Sequence, residues 1–223
     1  PPVAFTRNGV LAGIEPDLAR ELERRTGRRF QLVEQDWDAL IPALESGRID
    51  VIMAGMSITP ERSGRVAFTD PYMRVGQMAL IREADAARLA KPESLKSPGT
   101  RVGVVGGTTG DAFASSQLLR AIIFRYQDTE EGVRALQSGQ VDYFIHDAPT
   151  VWHFSAAPES RRRGLMGLFT PLTEEHLAWA VRKEDDTLRR QLNAALREMR
   201  ADGTLQAIVG RWIRTSVEVA PPR

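Results

Sequence analysis

The feature that most constrains this fold is a unit that occurs twice. "DALIPALESGRIDVIMAG" (38–55) and "EGVRALQSGQVDYFIHD" (131–147) share one plan: a helix ending in Leu-x-Ser-Gly, then a hydrophobic strand with aspartate at its third position. A glycine just past a helix supplies the left-handed residue that closes it. The pair Ala43-Leu44-Glu45-Ser46-Gly47 and Ala135-Leu136-Gln137-Ser138-Gly139 therefore points to two similar α/β lobes, or to a chance echo of a common α/β unit. In both copies the candidate site residues follow the strand's C-terminal end, where open α/β sheets bind ligands.

Helical and strand patterns alternate along the rest of the chain, which predicts α/β layers. "IEPDLARELERRT" (14–26) spaces Ile14, Leu18 and Leu22 for one helix face, with acids early and arginines late to suit the helix dipole, and Gly27 as its C-cap. Strands are expected at 30–35, 48–55, 78–83, 100–105, 122–126, 140–147 and 176–184. Helices are expected at 38–47, 110–120, 129–139 with Thr129 as N-cap, from Ala148 with Pro149 in its first turn, 187–203 and 204–214. Residues 84–100 read as loop with a short helix, and the tail through Pro221 and Pro222 as irregular.

Composition excludes several classes. Thirty basic and 29 acidic side chains give a net charge of +1, so no field favours nucleic acid or a membrane surface. The basic run Arg161-Arg162-Arg163 reads as a solvated turn. No apolar run reaches the roughly 18 residues of a membrane span. The absence of cysteine removes disulfides, thiolate metal sites and a cysteine nucleophile together, and His146, His153 and His176 lack metal-type spacing. No metal and no cofactor is expected.

Four places carry candidate chemistry. In GGTTG (106–110) converging backbone amides, with Thr108 and Thr109 at a helix start, would suit an anion; a plain tight turn is the alternative. The glycine spacing is neither that of a dinucleotide loop nor that of a triphosphate loop. Arg62 is either a surface charge paired with Glu61 or a planar clamp for a carboxylate, with Ser57 and Thr59 as supplementary hydroxyls or local turn caps. Asp147 either caps the helix that follows it or pairs with a ligand ammonium. Trp37 is a core residue or an aromatic wall. No catalytic set stands out.

These segments resemble one family, the periplasmic amino-acid-binding proteins of ABC importers, bacterial extracellular solute-binding family 3. The resemblance is carried by "GIEPDLARELERRTG" (13–27), "DALIPALESGRIDVIMAGMSITPERSGRVAFTDPY" (38–72), "RVGVVGGTTG" (101–110), "GQVDYFIHDAP" (139–149) and "REMRADGTLQAIVGRW" (197–212), in the family's order over almost the whole chain. It implies an α/β fold of the two-lobe, type II periplasmic-binding-protein kind. Residues 1–75 and 180–223 would form one lobe and 76–179 the other, with hinge strands between them. A ligand carboxylate would meet Arg62, Thr109 and Ser57, its ammonium would meet Asp147 and the Gly55 carbonyl, and Trp37, Met56 and Val105 would line the side-chain pocket. The family pattern sets a strand and an aromatic ahead of "PPF"; this chain opens at Pro1-Pro2-Val3, so the expectation is either a trimmed chain, with a removed signal peptide upstream, or an incomplete first lobe.

The function implied is non-catalytic binding of a free amino acid in the periplasm by a monomer that delivers it to an ABC permease in the membrane. A same-fold sensor domain of a membrane kinase or cell-wall enzyme is the first alternative. A cyclohexadienyl or arogenate dehydratase is the second, disfavoured because Asp147-Ala148-Pro149-Thr150-Val151 has no further acid.

Overall fold

The computed structural model describes residues 1–158 and 163–213. The chain divides into two compact units, one of residues 1–74 and 175–223 and one of residues 75–174.

The first unit opens with a hairpin of β1 (Phe5–Arg7) and β2 (Val10–Ala12), paired antiparallel with Phe5 opposite Ala12. Its turn is Asn8-Gly9, both at positive φ (52° and 76°), the dipeptide that best fits a twisted two-residue hairpin. Helix α1 (Ile14–Thr26) follows, burying Ile14, Leu18 and Leu22, and ends on left-handed Gly27. The strand expected at 30–35 does not form. Leu32 and Val33 are exposed, and among the described residues no strand lies against this stretch to supply a ladder.

A single turn at Trp37–Ala39 leads into α2 (Leu40–Glu45), then the two-residue strand β3 (Val51–Ile52), α3 (Pro60–Ser63), β4 (Ala67–Phe68) and β5 (Met73–Val75). Strand β3 is much shorter than the 48–55 expected. Its partner is itself only two residues long, and Gly55 at φ 68° turns the chain out of extended geometry.

The second unit is a five-stranded sheet covered on both faces. In chain order it contains β6 (Gln77–Arg82), α4 (Ala86–Leu89), β7 (Arg101–Val105), α5 (Thr109–Gln117), β8 (Ile122–Tyr126), α6 (Thr129–Gln137), β9 (Tyr143–Asp147), α7 (Ala148–Ser155) and β10 (Leu165–Leu168). The strand order is β10-β6-β9-β7-β8, with β7 parallel to both neighbours and β6 antiparallel to β9. Side chains alternate between two cores: Ala79, Ile81, Tyr143 and Ile145 meet Leu89, Ala114 and Leu118, whereas Leu80 and Phe144 meet Val133, Leu136, Val151 and Phe154. Two covered faces explain why these strands read as continuous apolar runs. Helix α6 is capped by Asp128, not Thr129; the Asp128 side chain accepts the Glu131 N–H at 2.8 Å, and Thr129 instead meets the His146 ring.

The chain returns to the first unit as β11 (Glu175–Leu177), β12 (Ala180–Val181), α8 (Asp186–Ala201) and α9 (Thr204–Trp212). The strand expected at 176–184 is thus two short ones. Strand β12 pairs with β3 and β4 on its two sides, while Ala178 and Trp179 bond instead to Met56 and Thr69. Helices α1, α8 and α9 pack together, with Leu192, Leu196, Met199 and Leu205 buried. Arg161 and Arg162 of the basic run, and the tail from 214 onward, lie outside the described residues.

Candidate functional site

The candidate residues of the first unit lie on the segment that leaves β3. Gly55 adopts φ 68°, a conformation costly for any residue with a side chain, and a Cβ there would come within 2.9 Å of Val3. Its N–H donates to Glu15 Oε1 at 3.0 Å. Glu15 also accepts from the Tyr72 hydroxyl at 2.7 Å and from Trp179 Nε1 at 2.8 Å, and the two rings stack at 5.8 Å. Burial pushes the Glu15 carboxyl up from its ordinary range, against the opposing pull of three donors. In the sequence Glu15 reads as an ordinary first-turn acid; here it is a buried post fixing the strand exit. Its signal is weak, a glutamate one residue after the first apolar position of a helix.

Beyond Gly55, Met56 is buried in the first unit's core with Leu40, Leu44 and Ile52, so its side chain serves packing. The segment then pairs with the return chain: Ala178 N–H donates to the Met56 carbonyl, Ser57 bridges Leu177, and Ile58 N–H donates to the His176 carbonyl. The Ser57 hydroxyl is no turn cap; it donates to Glu175 Oε2 at 2.6 Å. Thr59 is the cap, its oxygen accepting the Arg62 N–H at the start of α3. That capping and Pro60 in the first turn nucleate the one-turn helix that carries Arg62. The Arg62 guanidinium donates to the Ser57 carbonyl at 3.0 Å and lies 5.2 Å from the centre of the Trp37 ring. Trp37 therefore serves at least as the plate on which the guanidinium rests, a desolvating support for its charge.

The second unit gathers its candidates at one end of its sheet. In the loop after β7, the Thr108 hydroxyl donates to the Val105 carbonyl at 2.8 Å and accepts the Asp111 N–H at 3.3 Å. Thr108 is thus the cap of α5, and its expected part in anion binding is already taken by the backbone. Asp111 accepts the Gly107 N–H at 3.2 Å and pairs with Arg125, so the loop's own carboxylate fills part of the anion cradle. Val105 is buried in the core beside Val133 and Phe144, again a packing residue.

Thr109, first residue of α5, behaves differently: its Oγ1 accepts from Gln77 Nε2 at 3.0 Å. The same nitrogen donates to Asp147 Oδ1. Asp147 precedes α7 but makes no side-chain cap bond, so the capping alternative is set aside. Register brings the three together: Gln77 on β6 stands directly opposite Asp147 on β9. The preceding His146 fixes the aspartate's backbone, its Nδ1 accepting the Asp147 N–H at 2.8 Å while the other ring nitrogen meets Thr129 Oγ1 at 3.1 Å. Burial pushes the His146 pKa down to about 3, so the ring is neutral there. Gln77 is missed by sequence reasoning because it falls at a strand start with no motif around it; only the strand register reveals it.

Among the described residues there is no group of three or more His, Asp or Glu side chains able to hold a metal, and no helix long and apolar enough to cross a membrane. The first unit carries the Arg62 guanidinium with nearby hydroxyls, and the second carries the Thr109 hydroxyl beside the Asp147 carboxylate.

The model of bacterial extracellular solute-binding proteins, family 3, matches residues 1–215. The histidine-binding periplasmic protein of Escherichia coli K12 is 33% identical over 219 residues, covering 92% of this chain and 80% of that protein. Among solved structures, a putative binding component of an ABC transporter from Wolinella succinogenes, complexed with lysine, superposes with TM-score 0.89 at 31% identity, covering 96% and 92% of the two chains. An ancestral amino-acid-binding protein, described as a precursor of cyclohexadienyl dehydratase, superposes with TM-score 0.85 at 33% identity over 95% and 89%. With the fold of these two-lobe amino-acid-binding proteins and a family match over nearly its full length, this chain belongs to the bacterial extracellular solute-binding proteins of family 3.

Proposed function

We propose that the protein is a non-catalytic receptor for a free amino acid, working in the periplasm as a monomer and handing its ligand to an ABC permease. The observation that carries this reading is the convergence of Thr109 Oγ1 and Asp147 Oδ1 on one amide nitrogen. Two groups tethered to one atom lie within two hydrogen-bond lengths of each other. One is a hydroxyl at a helix start, suited to a carboxylate, and the other is an anion, suited to an ammonium. An α-amino acid presents those two groups at neighbouring positions.

In this reading Arg62 clamps the carboxylate through its planar fork, with Thr109 as second donor. Asp147 and the Gly55 carbonyl hold the ammonium. Ser57 moves from the carboxylate end, where the sequence puts it, to the ammonium end: its proton is committed to Glu175, so its oxygen is left as an acceptor. A ligand engaged by groups from both units binds better to whichever arrangement presents them together, which is how binding shifts a conformational equilibrium. The dehydratase reading gains no support, because α7 carries no carboxylate to act as proton donor.

A thermal-shift screen of the common amino acids tests the proposal, with L-histidine and L-lysine, the ligands named for two relatives, as first probes. A ligand at 100 times its Kd adds about 2.7 kcal/mol of stability. Stabilisation by another solute class and by no amino acid would overturn it.

A further inference from the structure

We propose that Gln77 is a positioning residue for the ligand, a buried neutral amide that fixes Thr109 as a hydrogen donor and holds Asp147 beside it. The inference rests on the amino-acid-binding reading above and assigns that site an organising residue.

Gln77 is 1% exposed, and its backbone is held on both sides, its N–H donating to Thr173 Oγ1 at 2.9 Å and its carbonyl accepting the Leu172 N–H at 2.8 Å. Its amide nitrogen contributes two hydrogens, one to Thr109 and one to Asp147. A carboxylate only accepts, so the nitrogen end must face Asp147, which settles the amide orientation by chemistry. Thr109 then accepts with a lone pair, and its hydroxyl hydrogen points away from Gln77. No described residue accepts that hydrogen. Thr109 thus presents a donor of set direction, the polarity that an anionic oxygen needs and the wrong one for an ammonium.

The choice of an amide has a second consequence. A lysine or arginine at this position would neutralise Asp147 and compete with a ligand cation. Glutamine supplies a hydrogen bond without charge, so it orients the carboxylate and adds no cation of its own against it. The backbone is cut to fit: a Cβ on Gly110 would come within 2.8 Å of Gln77 Oε1, so glycine beside Thr109 gives the amide its room.

The test compares wild type, Gln77→Leu and Gln77→Glu by calorimetry, with L-histidine and L-lysine against their α-carboxamides, from pH 4 to 8. Gln77→Leu should weaken the amino acid roughly ten- to hundredfold and shrink its preference over the carboxamide, because Thr109 loses its set polarity. Gln77→Glu places a second carboxyl against Asp147; affinity should be lowest at neutral pH and recover as pH falls and the new carboxyl protonates into a donor. A purely structural residue would lower stability without changing the carboxylate preference or the pH profile. Binding by Gln77→Leu within about threefold of wild type, with an unchanged preference, would overturn the inference. If Gln77→Leu fails to fold, Gln77→Glu decides, and a pH profile parallel to wild type overturns it. Arg62→Ala separates the two levels: unchanged binding there sinks the parent reading, whereas lost binding there with normal Gln77 variants sinks this inference alone.

Discussion

The two copies of the helix–Ser–Gly–strand unit begin identically and end differently. Ser46 donates to the Ala43 carbonyl at 3.1 Å and Ser138 to the Ala135 carbonyl at 3.1 Å. Gly47 and Gly139 sit at φ 73° and 79°, each N–H donating at 3.1 Å to the leucine three residues back. Arg48 and Gln140 then donate to Ala43 and Ala135, both at 3.0 Å. The echo in the sequence is therefore a shared local structure. Past the turn the copies part. The first strand ends at Ile52 and its chain leaves through Gly55, whereas the second stays in its ladder to Asp147. The first unit's segment is irregular and anchored by a buried carboxylate, Glu15, whereas the second unit's is set by strand register beside a buried amide, Gln77. Local sequence sets the turn; tertiary anchors decide where each copy delivers its functional group.

The comparison breaks most easily at the groups themselves. Arg62→Ala and Asp147→Ala should each remove about 2–5 kcal/mol of binding, a loss of at least about thirtyfold by calorimetry with L-histidine or L-lysine, with the circular dichroism spectrum unchanged. The anchors come next. Glu15→Ala strands three buried donors, Gly55 N–H, Tyr72 Oη and Trp179 Nε1, and should cost about 3–5 kcal/mol in urea denaturation. Glu15→Gln should cost less, because one oxygen still accepts.

The aspartates immediately before β3 and β9, Asp50 and Asp142, make the contrast sharper. Burial pushes the Asp142 carboxyl up, but the Arg101 guanidinium and backbone N–H together outweigh it and its pKa falls to about 2; the Asp50 side chain is 76% exposed beside Arg182. Asp142→Asn should destabilise by about 2 kcal/mol and Asp50→Asn by under about 1 kcal/mol.

The same asymmetry predicts acid behaviour. Asp142 is depressed in the fold, so its contribution is present above the unfolded value near 3.9 and is lost as pH falls toward 2. His146 is depressed to about 3, so the unfolded chain takes up its proton first and stability declines as pH falls from about 6.5. The slope is at most about 1.4 kcal/mol per pH unit for this one proton. His146→Gln should flatten the decline between pH 6 and 4, measured as urea midpoints against pH.

Much of this was legible before the structure. Helix α1, strand β8 and helix α8 follow from period and caps; of the residues of the proposed site, Arg62 lies in the short helix after β3, Thr109 opens α5 after β7, and Asp147 ends β9. The stretch 30–35 was misread because its alternation says nothing about whether a partner strand exists. A hydroxyl's type does not reveal its direction: Thr108 caps α5 and Ser57 gives its proton to Glu175, neither of which the sequence shows. Gln77 and Glu15 carry no local pattern at all, since each works through a residue distant in sequence. The Asn8-Gly9 hairpin, by contrast, has a local signal in its dipeptide, since both residues take the positive φ that such a turn needs.

The most direct measurement is calorimetry of the wild-type chain with L-lysine and L-histidine beside analogues that lack one charged end. Cadaverine and histamine remove the α-carboxylate; 6-aminohexanoate and imidazole propionate remove the α-ammonium. The account predicts that at least one intact amino acid binds and that either truncation weakens it by a hundredfold or more. Equal binding of the truncated analogues, or stabilisation of the chain by no amino acid in the wider screen, would contradict it.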